Sequence, residues 1–298
     1  MRIGAHIPVA GGLLEGARYA LECECETVQL FAKNPRRWLA PRRAPEEEEA
    51  FRVRCAESCI GPVFSHASYL INPGTRDDDL WSRTCEALAD EMARTARIGA
   101  AGLVMHLGTR ASQDTAACVR RIVETAQRAV DLAQGASVAL VIENSAGAGS
   151  QFGSRIGEVA SCLAALRDRG IPSAICLDTC HAFAAGTDLR TSDGWSRLAS
   201  TLDSSCGVES LVLVHANDSK GALGSRLDRH EWIGDGAISG TGFAAMFAEA
   251  RLAGAAAIVE MPGDPKVKDR ENVSRLKRLR DAAEEGADRG RERAEDVR

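Results

Sequence analysis

The segment Ala174–Phe183, AICLDTCHAF, ends an apolar, β-branched run on Asp178 and places His181 three residues later. An apolar run bounded by turn signals reads as a buried strand of a parallel sheet. A carboxylate at the end of such a strand, with an imidazole in the turn after it, needs something to bind, and a metal ion would serve. Five other runs finish the same way: Pro62–His66 on His66, Gly102–His106 on His106, Ser137–Glu143 on Glu143, Leu211–His215 on His215 and Ala256–Glu260 on Glu260. Asp228 and His230 stand two apart within Leu223–Ile233, and on an extended backbone such neighbours point to one side.

Imidazoles and carboxylates without cysteine suit zinc or manganese at a catalytic site with open positions. His66, His106, Glu143, Asp178, His181, His215, Asp228, His230 and Glu260 are more donors than one ion needs, so two or three ions with a bridging carboxylate are expected. Without cations, grouping so many buried acids and histidines would cost on the order of several kcal/mol per charge. Ions about 3.5–4 Å apart perform in-line phosphoryl displacement.

The elements that must gather these residues follow from the same spacing. The six runs recur at strand–helix intervals, and Arg2–Pro8 and Thr27–Phe31 add two further strands. Helical patterning falls in Leu13–Leu21, Asp77–Gly99, Gln113–Gln134, Ile156–Arg169 and Gly240–Ala253, with another helix opening at Glu46–Glu49. The fold class is therefore α/β, a single-domain (β/α)8 barrel over residues 1–283, with the metal cluster at the C-terminal face of its strands. Residues 284–298 are charged with mixed sign and read as a disordered tail. For His6, near the end of the first strand, a site-lining role and a satisfied core histidine are equally open.

Composition narrows the class. Of 298 residues 45% are hydrophobic, ample for one large core. No stretch reads as a signal peptide or a membrane span, so a cytoplasmic monomer is expected. The ten cysteines are scattered, with no paired Cys-x-x-Cys motifs, and read as free thiols; Cys180, beside His181, is an outside candidate for a ligand. A net charge of −5 counts against a general nucleic-acid binder, although bound cations reverse the local field.

Three loops could recognise a substrate. Residues 32–43, AKNPRRWLAPRR, hold Lys33, Arg36, Arg37, Arg42 and Arg43 around Trp38, and two prolines block a helix. This is either a solvated basic loop or one that contacts phosphates and inserts a side chain into a duplex. Tyr69, just after His66, can stack on a base or pack beneath its own loop. The Gly-rich stretch 144–150 after Glu143 suits close backbone approach to a phosphate, as do many ordinary turns.

Taken together, GAHIPVAGG, QLFAKNPRRW, HASYLIN, VIENSAGAGSQFG, LDTCHAFAAGTD, HANDSKGALGSRLDRHEWIG and IVEMP resemble the endonuclease IV family of zinc-dependent apurinic/apyrimidinic endonucleases, from Met1 to about Gly263. The resemblance implies three zinc ions on a (β/α)8 barrel, with manganese an alternative in one or more sites. It implies that His66, His106 and Glu143 hold one ion, and that Glu143 bridges to a second held by Asp178, His215 and Glu260. His181, Asp228 and His230 would hold the third. Glu143 and Glu260 would be the catalytic carboxylates around a metal-bridged hydroxide. Arg36 and Tyr69 match the residues that enter DNA beside a flipped-out abasic nucleotide, whose removal from the stack is least costly where a base is already missing. The implied activity is hydrolysis 5′ to abasic sites in duplex DNA, leaving a 3′-hydroxyl, together with cleaning of blocked 3′ ends. Arg37 stands where glutamine is often found and Ala148 replaces a larger polar residue; neither touches a ligand.

Two other readings compete. Glu143, Asp178, His215 and Glu260 alone resemble the metal set of sugar isomerase and epimerase barrels, which do not need His66, His106, His181, Asp228 and His230. A non-catalytic metal- or DNA-binding module would not need open coordination positions.

Overall fold

Side chains alternate between the two faces of a strand, so every second residue of a closed sheet meets its counterparts at the barrel axis. A computed structural model describes residues 1–264 and 267–295, the side chains beyond 286 excepted. Its strands are β1 (Ile3–His6), β2 (Thr27–Leu30), β3 (Val63–His66), β4 (Gly102–His106), β5 (Ala139–Glu143), β6 (Ser173–Asp178), β7 (Leu211–His215), β8 (Asp218–Ser219), β9 (His230–Glu231) and β10 (Ala256–Val259). Eight of them form a closed ring in the order β1-β10-β7-β6-β5-β4-β3-β2, each pair parallel, while β8 and β9 make a separate antiparallel ribbon. The barrel expected from the strand ends is the barrel observed.

Register stacks the inward residues in layers. His6 pairs with Gln29, His106 with Glu143 and Asp178 with His215, so the uppermost layer is polar. The next layer is apolar, built from Phe64, Val104, Val141, Cys176, Leu213 and Ile258. The lowest holds small residues, among them Gly102, Ala139, Ala174 and Ala256, and leaves a cavity of about 480 Å³ at the N-terminal mouth. At Gly4 a Cβ would lie 1.6 Å from the Thr27 carbonyl oxygen, so glycine is what lets β1 approach β2. Outward residues such as Ile3, Val28, Leu103, Leu140 and Ile142 are fully buried under the helices.

Those helices are α1 (Leu13–Glu22), α2 (Pro45–Glu57), α3 (Asp78–Arg97), α4 (Thr115–Leu132), α5 (Ile156–Arg167), α6 (Thr179–Ala184), α7 (Ser192–Cys206), α8 (Ser239–Ala248) and α9 (Lys268–Glu295). Local signals set their starts. Asp77 and Asp114 accept the Leu80 and Ala117 amides at 2.9 and 2.7 Å, as N-caps do. On α7, Trp195 is completely buried and donates its indole N–H to the carbonyls of Leu189 and Gly242.

Three expectations change. His181 is not in a turn after the strand but in the first turn of the short helix α6. The helix α7 is an addition to the expected set, because its many Ser, Asp and Gly residues hide the apolar face of Trp195, Leu198 and Leu202. The break expected at 283 is absent: α9 runs on to Glu295, in keeping with a segment in which helix-forming Ala, Glu and Arg dominate. Of the expected tail, residues 296–298 lie outside the described residues.

Candidate metal centre

The upper polar layer, a short helix and the β8–β9 ribbon gather the expected donors at the C-terminal mouth: seven of the nine line a pocket of about 400 Å³, and Asp178 and His215 lie fully buried behind them, 3.7 Å from His230 Nε2 and 3.2 Å from Glu143 Oε1 respectively. Glu143 is the hub of the cluster. Oε2 lies 3.2 Å from His66 Nε2 and 3.6 Å from His106 Nδ1; Oε1 lies 3.2 Å from His215 Nδ1 and 3.3 Å from His181 Nδ1. His215 Nδ1 is also 3.3 Å from Glu260 Oε2. On the other flank Asp228 reaches His181 Nε2 at 3.3 Å and His230 Nε2 at 3.4 Å.

Each donor is aimed by local structure. Asp178 ends β6 and caps α6, accepting the His181 amide at 2.7 Å, so one carboxylate sets the backbone of its fellow donor. A carbonyl oxygen can only accept, so the Nδ1–H of His66 donates to Ala67 O (2.8 Å), that of His181 to Asn144 O (3.0 Å) and that of His230 to Glu260 O (2.8 Å). In the neutral rings this leaves each Nε2 with its lone pair free, as metal ligation requires. His215 is turned the other way, with Nε2 2.9 Å from Gln29 Oε1 and Nδ1 toward the carboxylates.

The ribbon that carries His230 is pinned from below. Asp218 is fully buried and accepts backbone N–H groups of Ser219, Gly234, Gly236 and Ile238 at 2.8–3.0 Å. A Cβ at Gly236 would come within 2.5 Å of Asp218 Oδ1, so the loop closes on the carboxylate only with glycine there.

The electrostatics follow from burial opposed by charge. Burial alone would lower the His181 and His215 pKa values. Asp178, Asp228 and Glu143 outweigh it at His181, and Cys176, Glu260 and Glu143 at His215, so both stand well above 6.5. Burial would raise Glu143, but His106, His215 and His181 hold it well below 4.5; His215 and His6 do the same for Glu260. Burial prevails at His6 and His106, which are lowered. Cys180 is pushed up to about 12 by burial, which disfavours a thiolate ligand in the metal-free protein.

Divalent cations fit this donor set. His66, His106 and Glu143 offer atoms all within 4.8 Å of one another, as do Glu143, Asp178 and His215, and as do Asp178, His181 and His230. His230 Nε2 is buried and has no hydrogen-bond partner among the described residues. Carboxylates and imidazoles whose outer atoms are already bonded are the arrangement that metal sites use.

The other expected residues stand at the rim. Tyr69 is 65% exposed, its ring 5.3 Å from Phe31 and 6.4 Å from His66. Arg36 is exposed, and both line a cleft of about 770 Å³ that shares His6, Phe31, Tyr69 and Lys268 with the metal pocket. Lys33 is not the surface cation expected. Its side chain is 1% exposed and its Nζ lies 3.0 Å from Glu91 Oε1.

Of the two roles left open for His6, the structure shows the site-lining one, with Nδ1 3.1 Å from Glu260 Oε1. Other participants escaped the sequence reading. Gln29 donates to the same oxygen at 2.8 Å, and Asn217 donates to Asp178 Oδ2 at 2.7 Å. Gln29 and Asn217 give no signal of their own, although each lies at or just past a strand end. Lys268 opens α9 at the pocket wall and donates to Met261 O at 2.6 Å.

Residues 17–292 match the family described as Xylose isomerase-like TIM barrel. A protein of Methanoculleus marisnigri named "Probable endonuclease 4" is 36% identical over 277 residues, 93% of this chain and 98% of that protein. A protein of the same name from Streptomyces coelicolor is 38% identical over 282 residues, 94% and 95% of the two chains. The crystal structure of endonuclease IV from Thermus thermophilus superposes with a TM-score of 0.82 at 34% identity, covering 96% of this chain and 100% of that one. A D-tagatose 3-epimerase-like protein superposes at 0.70 but with 17% identity, a likeness of fold alone. With full-length similarity to proteins of one name and a fold that matches throughout, this chain belongs to the endonuclease IV family.

Proposed function

We propose that the protein is a metal-dependent DNA-repair endonuclease that hydrolyses the phosphodiester 5′ to abasic sites in duplex DNA and leaves a 3′-hydroxyl. It would also clear blocked 3′ ends, and it would act as a cytoplasmic monomer. The observation that carries this reading is the cluster of carboxylates and imidazoles at the barrel mouth, whose pocket shares His6, Phe31, Tyr69 and Lys268 with a cleft flanked by Arg36 and Tyr69. The names of its full-length relatives support it. Among the described residues no helix is long and apolar enough to cross a membrane.

In this reading His66, His106 and Glu143 hold one zinc. Glu143, Asp178, His215 and Glu260 hold a second, and His181, Asp228 and His230 a third; manganese is the alternative in one or more positions. When bound, the cations supply Lewis acidity to the scissile phosphate and make water a competent nucleophile near neutral pH.

The chain's own residues do the rest. Gln29 and His6 both contact Glu260 Oε1, at 2.8 and 3.1 Å, and so hold this carboxylate in one orientation beside the reaction centre. So held, Glu260 is placed to orient the attacking water. Glu143 sets the spacing of the two ligand groups that share it. Arg36 and Tyr69 occupy the space of the missing base and keep the abasic nucleotide turned into the pocket.

The test is incision of a duplex carrying one abasic analogue by zinc-loaded protein, with product ends mapped. A nick 5′ to the lesion with a 3′-hydroxyl is expected. Intact DNA alongside full metal content would overturn the reading, as would interconversion of a ketose and an aldose by the same preparation.

A further inference from the structure

Both rim loops are tied to α3 through one carboxylate oxygen. Glu91 Oε1 lies 3.0 Å from Lys33 Nζ, in the loop of Arg36, and accepts the Ser68 amide at 3.1 Å, in the loop of Tyr69. Lys33 Nζ also donates to Trp38 O at 2.9 Å, so the basic loop is gripped on both sides of Arg36. Ser68 Oγ closes the circuit by donating to Pro35 O at 2.6 Å. Both charged side chains are 1% exposed.

Such a pair is a poor device for stability. Buried ion pairs can often be replaced by apolar side chains of equal volume without loss, because the desolvation of both charges offsets their attraction. Here Glu91 Oε2 is buried and has no hydrogen-bond partner among the described residues, which adds to the cost. What the pair provides is direction: a hydrogen-bonded charge fixes where its partners lie, as an apolar contact does not.

We infer that Lys33 and Glu91 are positioning residues that hold Arg36 and Tyr69 at the mutual spacing needed for both to enter a duplex at a lesion. The inference rests on the abasic-site reading above. Neither side chain touches the substrate, and Lys33 uses its charge inside the protein rather than on a phosphate. Recognition then depends on loops ordered before DNA arrives, which removes an ordering cost from binding.

The test replaces the pair by apolar side chains of similar size, Lys33→Met with Glu91→Leu. With wild-type protein nicking the abasic duplex as control, the expected result is a KM raised about tenfold, a kcat within about twofold and an unchanged metal content. Lys33→Met with Glu91→Gln keeps an acceptor for the Ser68 amide and should raise KM less; it decides alone if the first variant does not fold. A folded, metal-replete variant with wild-type KM overturns the inference, as does a loss confined to kcat. Failure of the wild-type protein to nick strikes the functional reading instead.

Discussion

His230 Nδ1 lies 2.8 Å from the carbonyl oxygen of Glu260, two donors from different parts of the barrel mouth that aim each other. The bond fixes the tautomer of His230, and its Nε2 is turned to Asp178 and Asp228 at 3.7 and 3.4 Å. A side chain proposed to hold one ion is thus oriented by the backbone of a residue proposed to hold another. The centre should behave as a unit, and perturbations at one position should be felt at its neighbours.

Glu143→Gln tests the hub. One carboxylate faces four imidazoles within 3.6 Å, and the amide loses both charge and one acceptor. Incision should fall on the order of 10³-fold, and metal content should drop by at least one ion per chain. Elemental analysis of the purified variant checks the second point independently of turnover.

The metal-free protein should respond to pH opposite to the loaded one. The raised pKa values of His66, His181 and His215 stabilise the empty fold fully below 6.5, and that contribution is lost as pH rises through the raised values. The depressed Glu143 and Glu260 contribute above 4.5 and lose their effect only as pH falls through their lowered values. As pH rises above about 6.5 and through the raised histidine values, the Tm of chelator-treated protein should therefore fall, while that of zinc-loaded protein should rise as protons cease to compete for imidazole nitrogens. Calorimetry across this window decides it; two parallel curves would contradict the donor assignment.

Asp218→Ala should unsettle the ribbon beneath Asp228 and His230. The backbone N–H groups of Ser219, Gly234, Gly236, Ile238 and Ser239 lose one shared acceptor, two of these bonds being fully buried, which costs about 3 kcal/mol of stability. Urea denaturation measures that loss. The ion proposed for His181, Asp228 and His230 should also bind more weakly, and a variant that keeps wild-type affinity there would show that the ribbon stands without Asp218.

Arg36→Ala and Tyr69→Ala should separate recognition from chemistry. Both side chains lie at the rim and neither is a donor, so metal content should stay constant while KM for an abasic duplex rises about tenfold. Competition by undamaged duplex should become more effective in both variants, which filter binding can follow.

Much of this centre is legible in the chain because of where its donors sit. A charged residue that closes an apolar run stands out, and six of the nine do so. Asp228 and His230 carry little signal alone and gain it from the other seven. Residues whose chemistry is generic do not stand out: Gln29 and Asn217 are amides like any others until the register of β2 and the bend after β7 bring them against Glu260 and Asp178. Lys33 misleads for a related reason. Its partner Glu91 belongs to a different unit of the barrel, and a cation among arginines looks solvated until α3 packs beside it. His181 reads as a turn residue because the helix that holds it is only six residues long and starts on the very aspartate that ends the strand.

The ring closes where β10 meets β1, pairing Ala257 with Ile3 and Val259 with Ala5. Glu260 follows directly. A chain growing on the ribosome therefore carries two unpaired sheet edges, and an incomplete set of the proposed donors, until β10 and Glu260 have been made. The ion proposed for Glu143, Asp178, His215 and Glu260 would then find its full set of ligands only once the ring has closed.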